Sequence, residues 1–163
     1  MSQSATDAET RIGRDDHAAI RLWLRMLATN RLIETRMRRL LQERHATTLP
    51  RFDLMAQLER VPGGLKMGEL SKRMMVTGGN VTGITDLLER EGLVERADDP
   101  ADRRAWRVKL TRAGQRTFKA MAEEHESWIV EAFRALSTRQ MSAMARLLGG
   151  LKTHVRSLEG RSA

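Results

Sequence analysis

The stretch Gly92-Leu93-Val94-Glu95-Arg96-Ala97-Asp98-Asp99-Pro100-Ala101-Asp102-Arg103-Arg104-Ala105-Trp106-Arg107-Val108-Lys109-Leu110-Thr111-Arg112-Ala113-Gly114 decides the fold. Gly92 is the residue favoured just past a helix end, because it adopts a positive φ without a Cβ clash. Leu93-Val94-Glu95-Arg96 is then extended, and Asp98-Asp99-Pro100 has turn chemistry. Trp106-Arg107-Val108-Lys109-Leu110 alternates apolar with basic residues, as a half-buried strand does. The expected product is a two-stranded hairpin with a charged tip, Asp102-Arg103-Arg104, followed by a helix that Thr111 caps. From Glu95 to Arg116 seven basic residues stand against four acidic ones, so the hairpin is cationic.

Upstream, a helix from about Gly79 to Glu91 buries Val81, Ile84 and Leu88, and a shorter one from Met67 to about Met75 buries Leu70 and Met74. Val76-Thr77-Gly78-Gly79 makes the turn between them, with Thr77 as its N-cap. Helix, turn, second helix and hairpin together read as a winged helix-turn-helix. In that arrangement the first helix braces the second in the major groove, the one groove wide enough for a helix and unambiguous in its base edges. The hairpin, or wing, carries its cationic tip to the adjacent minor groove, whose negative potential draws in Arg.

Stepping 100° per residue from the Val81–Ile84–Leu88 stripe puts Gly79, Thr82, Gly83 and Asp86 on the opposite face and Asn80 on its flank. Thr77, Gly79, Asn80, Thr82 and Gly83 are therefore the candidate contacts of this helix to DNA, through phosphate or base edges. An interior helical Gly costs roughly 1 kcal/mol relative to Ala. Gly83 accordingly marks either a close approach of something to the backbone or a tightly packed helix. The run TGGNVTG is not a phosphate-binding loop, since it lacks the Lys-Ser/Thr pair and the G-x-G-x-x-G spacing.

On either side lie helices. From about Asp16 to Arg44 the apolar residues Ile20, Trp23, Leu24, Leu27, Ile33, Met37, Leu40 and Leu41 fall at spacings of three and four, flanked by Arg31, Arg36, Arg38, Arg39 and Arg44. After HATTLP, a helix capped by Thr48 with Pro50 in its first turn carries Phe52, Leu54, Met55 and Leu58 and stops at Val61-Pro62-Gly63-Gly64. Downstream, a helix carries Phe118, Met121, Ile129 and Phe133, and Ser137 with Gln140 forms a capping box. The last helix repeats Met141, Met144, Leu148, Leu151, Val155 and Leu158 at heptad spacing. Such a seam requires another helix and points to a second subunit.

The quoted hairpin also carries a resemblance. Gly92-Leu93-Val94-Glu95-Arg96, Asp99-Pro100-Ala101-Asp102-Arg103-Arg104-Ala105 and Val108-Lys109-Leu110-Thr111-Arg112-Ala113-Gly114 closely resemble the MarR family of transcriptional regulators, whose D-x-R wing is followed by L-T-x-x-G. The likeness extends through the Glu69-Leu70 helix. It implies a homodimer held by the first and last helices, with residues 16–48 and 112–163 as the dimerisation region, 49–111 as the DNA-binding domain and 1–15 as a disordered tail. It also implies a repressor that binds a pseudo-palindromic duplex and lets go when a small aromatic or anionic effector binds. Arg104 would be the wing arginine, Asp102 its orienting partner and Arg103 its alternate, with Arg107 in the same basic strand. Gly78, Gly79 and Gly83 depart from the family, where larger polar or basic side chains are common. The segment TLPRFDLMAQL looks like that of members controlling aromatic-acid and hydroxycinnamate catabolism, some of which sense acyl-CoA thioesters. That likeness makes Trp23, Asn30, Arg36, Arg38, Arg39, His45 and Phe52 candidates for an effector site, the arginines matching phosphate geometry.

Composition limits the alternatives. The 163 residues suit one domain or two very small ones, and a net charge of +8 favours a polyanionic partner. No cysteine is present, which excludes disulfides, thiolate metal sites and thiol nucleophiles. The longest stretch without Asp, Glu, Lys or Arg runs from Met74 to Thr85, too short to span a membrane. The polar N-terminus is no secretory signal, so the expected location is the cytoplasm. Aromatics are 4%, few for a protein that stacks single-stranded bases. His17, His45, His125 and His154 are scattered, and no catalytic or metal-binding grouping emerges, so neither an enzyme nor a cofactor is expected. The alternative reading is a basic RNA- or ribosome-associated protein on the same scaffold.

Overall fold

The structure, a computed structural model, describes residues 17–74, 78–100 and 102–160, and of residues 78, 103 and 104 the backbone only. The expected tail over residues 1–15 and the N-cap Thr77 lie outside the described residues. The chain is mainly helical with a small antiparallel sheet, and it divides into two compact units that meet in sequence at His125/Glu126.

In the first unit, α1 (Ala18–His45) ends where Ala46 turns left-handed at φ 48°, its N–H and that of Thr47 returning to the carbonyls of Gln42 and Leu41. Helix α2 (Leu49–Glu59) starts at Thr48 in extended conformation, but the Thr48 side chain makes no capping bond, contrary to expectation. Pro50 explains part of this: it sits in the first turn and has no N–H to donate. Strand β1 (Leu65–Lys66) leads into α3 (Met67–Met74), and the helix-turn-helix is completed by α4 (Gly78–Arg90).

Leu54, Met55, Leu58, Leu70, Val81, Leu88, Val94 and Val108 make the core of this unit, each nearly without exposure. On α4 the buried stripe differs slightly from the expected one. Ile84 is half-buried, and Thr85 is fully buried, its hydroxyl donating to the Val81 carbonyl at 2.8 Å. That local bond removes the cost of burying a hydroxyl.

The wing follows α4 directly. Gly92, at φ 71°, donates its N–H to Glu89 O, and Leu93 donates to Leu88 O, both at 2.9 Å. This is the paired-bond helix ending for which Gly92 was singled out. Strands β2 (Val94–Asp99) and β3 (Asp102–Leu110) are longer than the sequence implied, and β1 makes an unforeseen third strand in the order β1-β3-β2. A two-residue strand leaves no alternation to read; it forms because Leu65 and Lys66 lie opposite Val108 and Arg107. Between β2 and β3 the register slips beyond Asp98↔Trp106, so that Asp99 faces Asp102 and residues 103–105 bulge from β3.

The L-T-x-x-G element is a joint. Thr111 Oγ1 donates to Gly92 O at 2.7 Å and accepts from Gly114 N at 3.0 Å, capping α5 (Arg112–Ala132) as expected. A Cβ on Gly114 would stand 1.9 Å from Leu93 O, so α5 lies against the root of the wing at a distance that excludes any side chain.

The second unit holds the end of α5 and α6 (Thr138–Glu159). Its capping box is present: Gln140 N donates to Ser137 Oγ, and Ser137 N donates to Gln140 Oε1.

Candidate nucleic-acid interface

Helix α4 presents Gly79, Asn80, Thr82 and Gly83 to solvent, as the helical steps imply. Among the described residues a Cβ at Gly79 or Gly83 meets nothing within 4 Å, so tight packing against them is not the reason for Gly83. This face is low and open. It carries no Lys or Arg before Arg90, whose Nε donates to the Asp86 carbonyl at 3.3 Å. Asp86, expected opposite the buried stripe, is drawn sideways into an ion pair with Arg96.

The described cations of the wing's strands are bound by the protein itself. Arg96 forks onto Asp86 and Glu89 of α4, and its guanidinium lies 4.7 Å from the ring centre of Trp106. Lys109 pairs with Glu95 at 3.0 Å across the hairpin. Arg107, expected among the DNA contacts, donates from Nε to Asp99 Oδ2 at 2.8 Å and from Nη1 to Gly64 O at 3.2 Å. Its guanidinium is therefore tied to the sheet, and the expectation for it is revised to support of the wing.

Asp99 needs the clearest correction. Read as a turn former, it has a side chain with no exposure, held by Arg107 and by Lys66 Nζ at 3.4 Å. A carboxylate taken wholly out of water must be paired, and here the pairing ties β1, β2 and β3 together. Gly64 completes the corner at φ 81°, where a Cβ would meet Val108 O at 2.7 Å. Arg96, Asp99 and Lys66 were missed as positioning residues because their partners are distant in sequence. The available signal was that four acids among seven bases in a cationic hairpin require an explanation. Asp102 is exposed, whereas the Arg103 and Arg104 side chains lie outside the described residues; their backbone falls in the bulge at the tip.

The candidate effector residues do not converge within one chain. Helix α1 is unbroken, so Trp23 and His45 are separated by about 33 Å along it. Trp23 and Asn30 are exposed, and Arg36 is half-buried. Arg38 pairs with Glu34, and Arg39 with Glu43 at 3.1 Å, each within the helix. His45 Nε2 lies 3.5 Å from Glu124 Oε1, while Arg44 donates to Glu124 Oε2 at 3.3 Å. Phe52 is a core residue, 4.5 Å from the His125 ring and 5.4 Å from Phe118. Burial holds the His125 pKa below its ordinary value of 6.5.

On α6, Met141, Met144, Leu148, Leu151, Val155 and Leu158 are all exposed, between 37% and 47%. Among the described residues no group of three or more His, Asp or Glu is placed to hold a metal ion, and no helix is long and apolar enough to cross a membrane.

Known proteins share these features. A sequence model of the MarR family matches residues 47–105, from the end of α1 to the wing tip. A MarR family transcriptional regulator of solved structure from Silicibacter pomeroyi is 39% identical, with a TM-score of 0.70 over 83% of this chain and 94% of that one. The transcriptional activatory protein BadR of Rhodopseudomonas palustris is 30% identical over 125 residues, 71% of this chain and 70% of its own. Sco3205, a MarR family regulator from Streptomyces coelicolor solved in complex with DNA, has the same fold at 24% identity, with a TM-score of 0.72 over 80% of this chain and 83% of that one. The chain belongs to the MarR family of DNA-binding transcriptional regulators, which are not enzymes.

Proposed function

We propose that two copies of the chain, clasped through their first and last helices, repress transcription in the cytoplasm from a pseudo-palindromic operator and are released by a small anionic or aromatic effector. The observation that carries this reading is the α6 seam: six apolar residues at heptad spacing, each more than a third exposed in the single chain. Seams of this kind associate with another helix, and a copy of the same chain supplies one with matching spacing.

Each protomer offers DNA an open α4 face with Gly79, Asn80, Thr82 and Gly83, together with Thr77 and a wing tip with Asp102, Arg103 and Arg104. Phosphate contacts from Lys and Arg supply most of the affinity, and the dyad fixes the spacing of half-sites at about one helical turn. The effector is an aromatic acid or its CoA thioester, as in the subgroup that TLPRFDLMAQL resembles. Trp23 and Asn30, both exposed on α1, are its candidate contacts. Release is a shift toward a dimer whose lobes are wrongly spaced for DNA, limited by the effector's differential affinity.

The test combines sedimentation at micromolar concentration with titration of an inverted-repeat duplex, its dyad-scrambled version and a structured RNA at matched salt. Dimers that prefer the intact repeat and release it with an aromatic acid or acyl-CoA are expected. A monomer, indifference to the dyad or preference for RNA sinks the reading. Activation is the second reading, favoured by the name of the R. palustris relative; the sign of a reporter's response decides between the two.

A further inference from the structure

We infer that Arg96 is the residue that sets the wing against α4, by taking up the two carboxylates that α4 would otherwise turn toward DNA. This rests on the reading that α4 and the wing engage the same duplex. Asp86 and Glu89 lie three residues apart on α4 and so share a face. Beside a phosphate backbone they are the wrong charge, and the helix has no cation of its own before Arg90 to offset them. Arg96 Nη2 binds Asp86 and Nη1 binds Glu89, so one planar group occupies both.

The same guanidinium is fixed from the wing side. Arg96 lies opposite Val108 in the hairpin register, and its flat face lies over Trp106 of β3. One side chain thus joins α4, β2 and β3, and the fork plus the stack requires arginine: an ammonium has neither the planarity nor the paired donors. Arg96 retains 21% exposure, Asp86 48% and Glu89 36%. Water therefore still reaches the carboxylates, and pairs this wet contribute little to folding stability. Their effect is geometric: they hold the angle at which the wing leaves the helix. Arg96 is a positioning residue for DNA binding.

The experiment uses the full chain and a duplex selected by the wild type from a random pool, with affinity, hydroxyl-radical footprint and thermal melting measured together. The nearly isosteric double substitution Asp86→Asn plus Glu89→Gln is expected to weaken binding about threefold to thirtyfold. Protection of the flanking minor groove, where the wing lies, is lost, while the major-groove protection and the melting temperature stay close to wild type. Arg96→Lys is expected to fall between, since it keeps one carboxylate but neither fork nor stack. If the carboxylates act merely as charges opposing DNA, the double variant binds more tightly with an unchanged footprint, and the proposal is overturned. Unchanged affinity and footprint in both variants overturn it as well. A wild type that selects no duplex overturns the DNA reading and the proposal together; a wild type that binds beside unaffected variants overturns the proposal alone.

Discussion

The wing and the second half of α1 both read as basic surfaces, and in both most described cations have acidic partners. The difference is where most of the partners come from, although Arg44 of α1 also reaches another element, Glu124 of α5, at 3.3 Å. Arg38 and Arg39 pair with Glu34 and Glu43 four residues away on the same helix, with every side chain more than a third exposed. Such pairs add a few tenths of a kcal/mol and fade with salt. In the wing, Arg96 reaches α4, Arg107 reaches the end of β2 and the Gly64 carbonyl, and Lys66 of β1 meets Asp99. Pairs that join separate elements fix geometry, so charge on a sequence is not charge available to a ligand. Among the described cations from Glu95 to Arg116, Arg96, Arg107 and Lys109 are tied to the fold.

The strongest way to break this picture is at the wing's root. Gly114→Ala places a methyl 1.9 Å from the Leu93 carbonyl, an overlap with backbone that no rotamer relieves. The expected loss is more than about 4 kcal/mol of folding stability, read from urea denaturation. A midpoint near wild type would show that α5 is free to move away from the wing.

A smaller effect tests the pairing argument itself. Asp99→Ala removes the carboxylate shared by Arg107 and Lys66. Both cations retain some exposure, so water partly replaces it, and the expected cost is about 2 kcal/mol. Arg38→Ala and Arg39→Ala should each cost less than about 0.5 kcal/mol. Equal losses in the two regions would remove the distinction between local and cross-element pairs.

The same distinction explains what the sequence disclosed. The helices, the hairpin, the Gly92 ending, the Thr111 cap and the Ser137–Gln140 box were legible because each is written within a few residues. The α4 face with Gly79, Asn80, Thr82 and Gly83 followed from helical periodicity alone. Strand β1 was not legible, because two residues carry no period. Nor were the roles of Asp99, Arg96 and Arg107, which depend on residues brought together only by the folded sheet. Six of the seven effector candidates lie along α1, where Trp23 and His45 stand about 33 Å apart at 1.5 Å per residue, a separation that grouping by chemistry ignores.

Helix α4 sharpens the contrast from the side of the ligand. Gly83→Ala meets no neighbour among the described residues and gains helix propensity, so the free protein should gain about 0.5–1 kcal/mol. If DNA is what approaches this face, the added methyl weakens operator binding while raising the melting temperature, and the two measurements move in opposite directions. A stabilised variant with unchanged DNA affinity would show that Gly83 does not face the groove.

The smallest effect separates charge pairing from burial in the helical region. His125 lies against Phe52, and its burial disfavours the imidazolium, holding the folded pKa below 6.5. Above pH 6.5 the ring is neutral in both states and its contribution is complete. As pH falls below 6.5 the unfolded chain takes up a proton first, so stability declines until the lower folded pKa is passed. His125→Phe keeps a ring against Phe52 without the titration, and its melting temperature should fall less than that of wild type between pH 7 and pH 5. Because the cause is desolvation and not a nearby charge, the difference should persist in about 0.5 M salt, where the Debye length has shrunk to a few ångströms. The ion pairs of α1 should by then contribute next to nothing. Identical pH slopes for the two proteins would assign the acid response to the carboxylates instead.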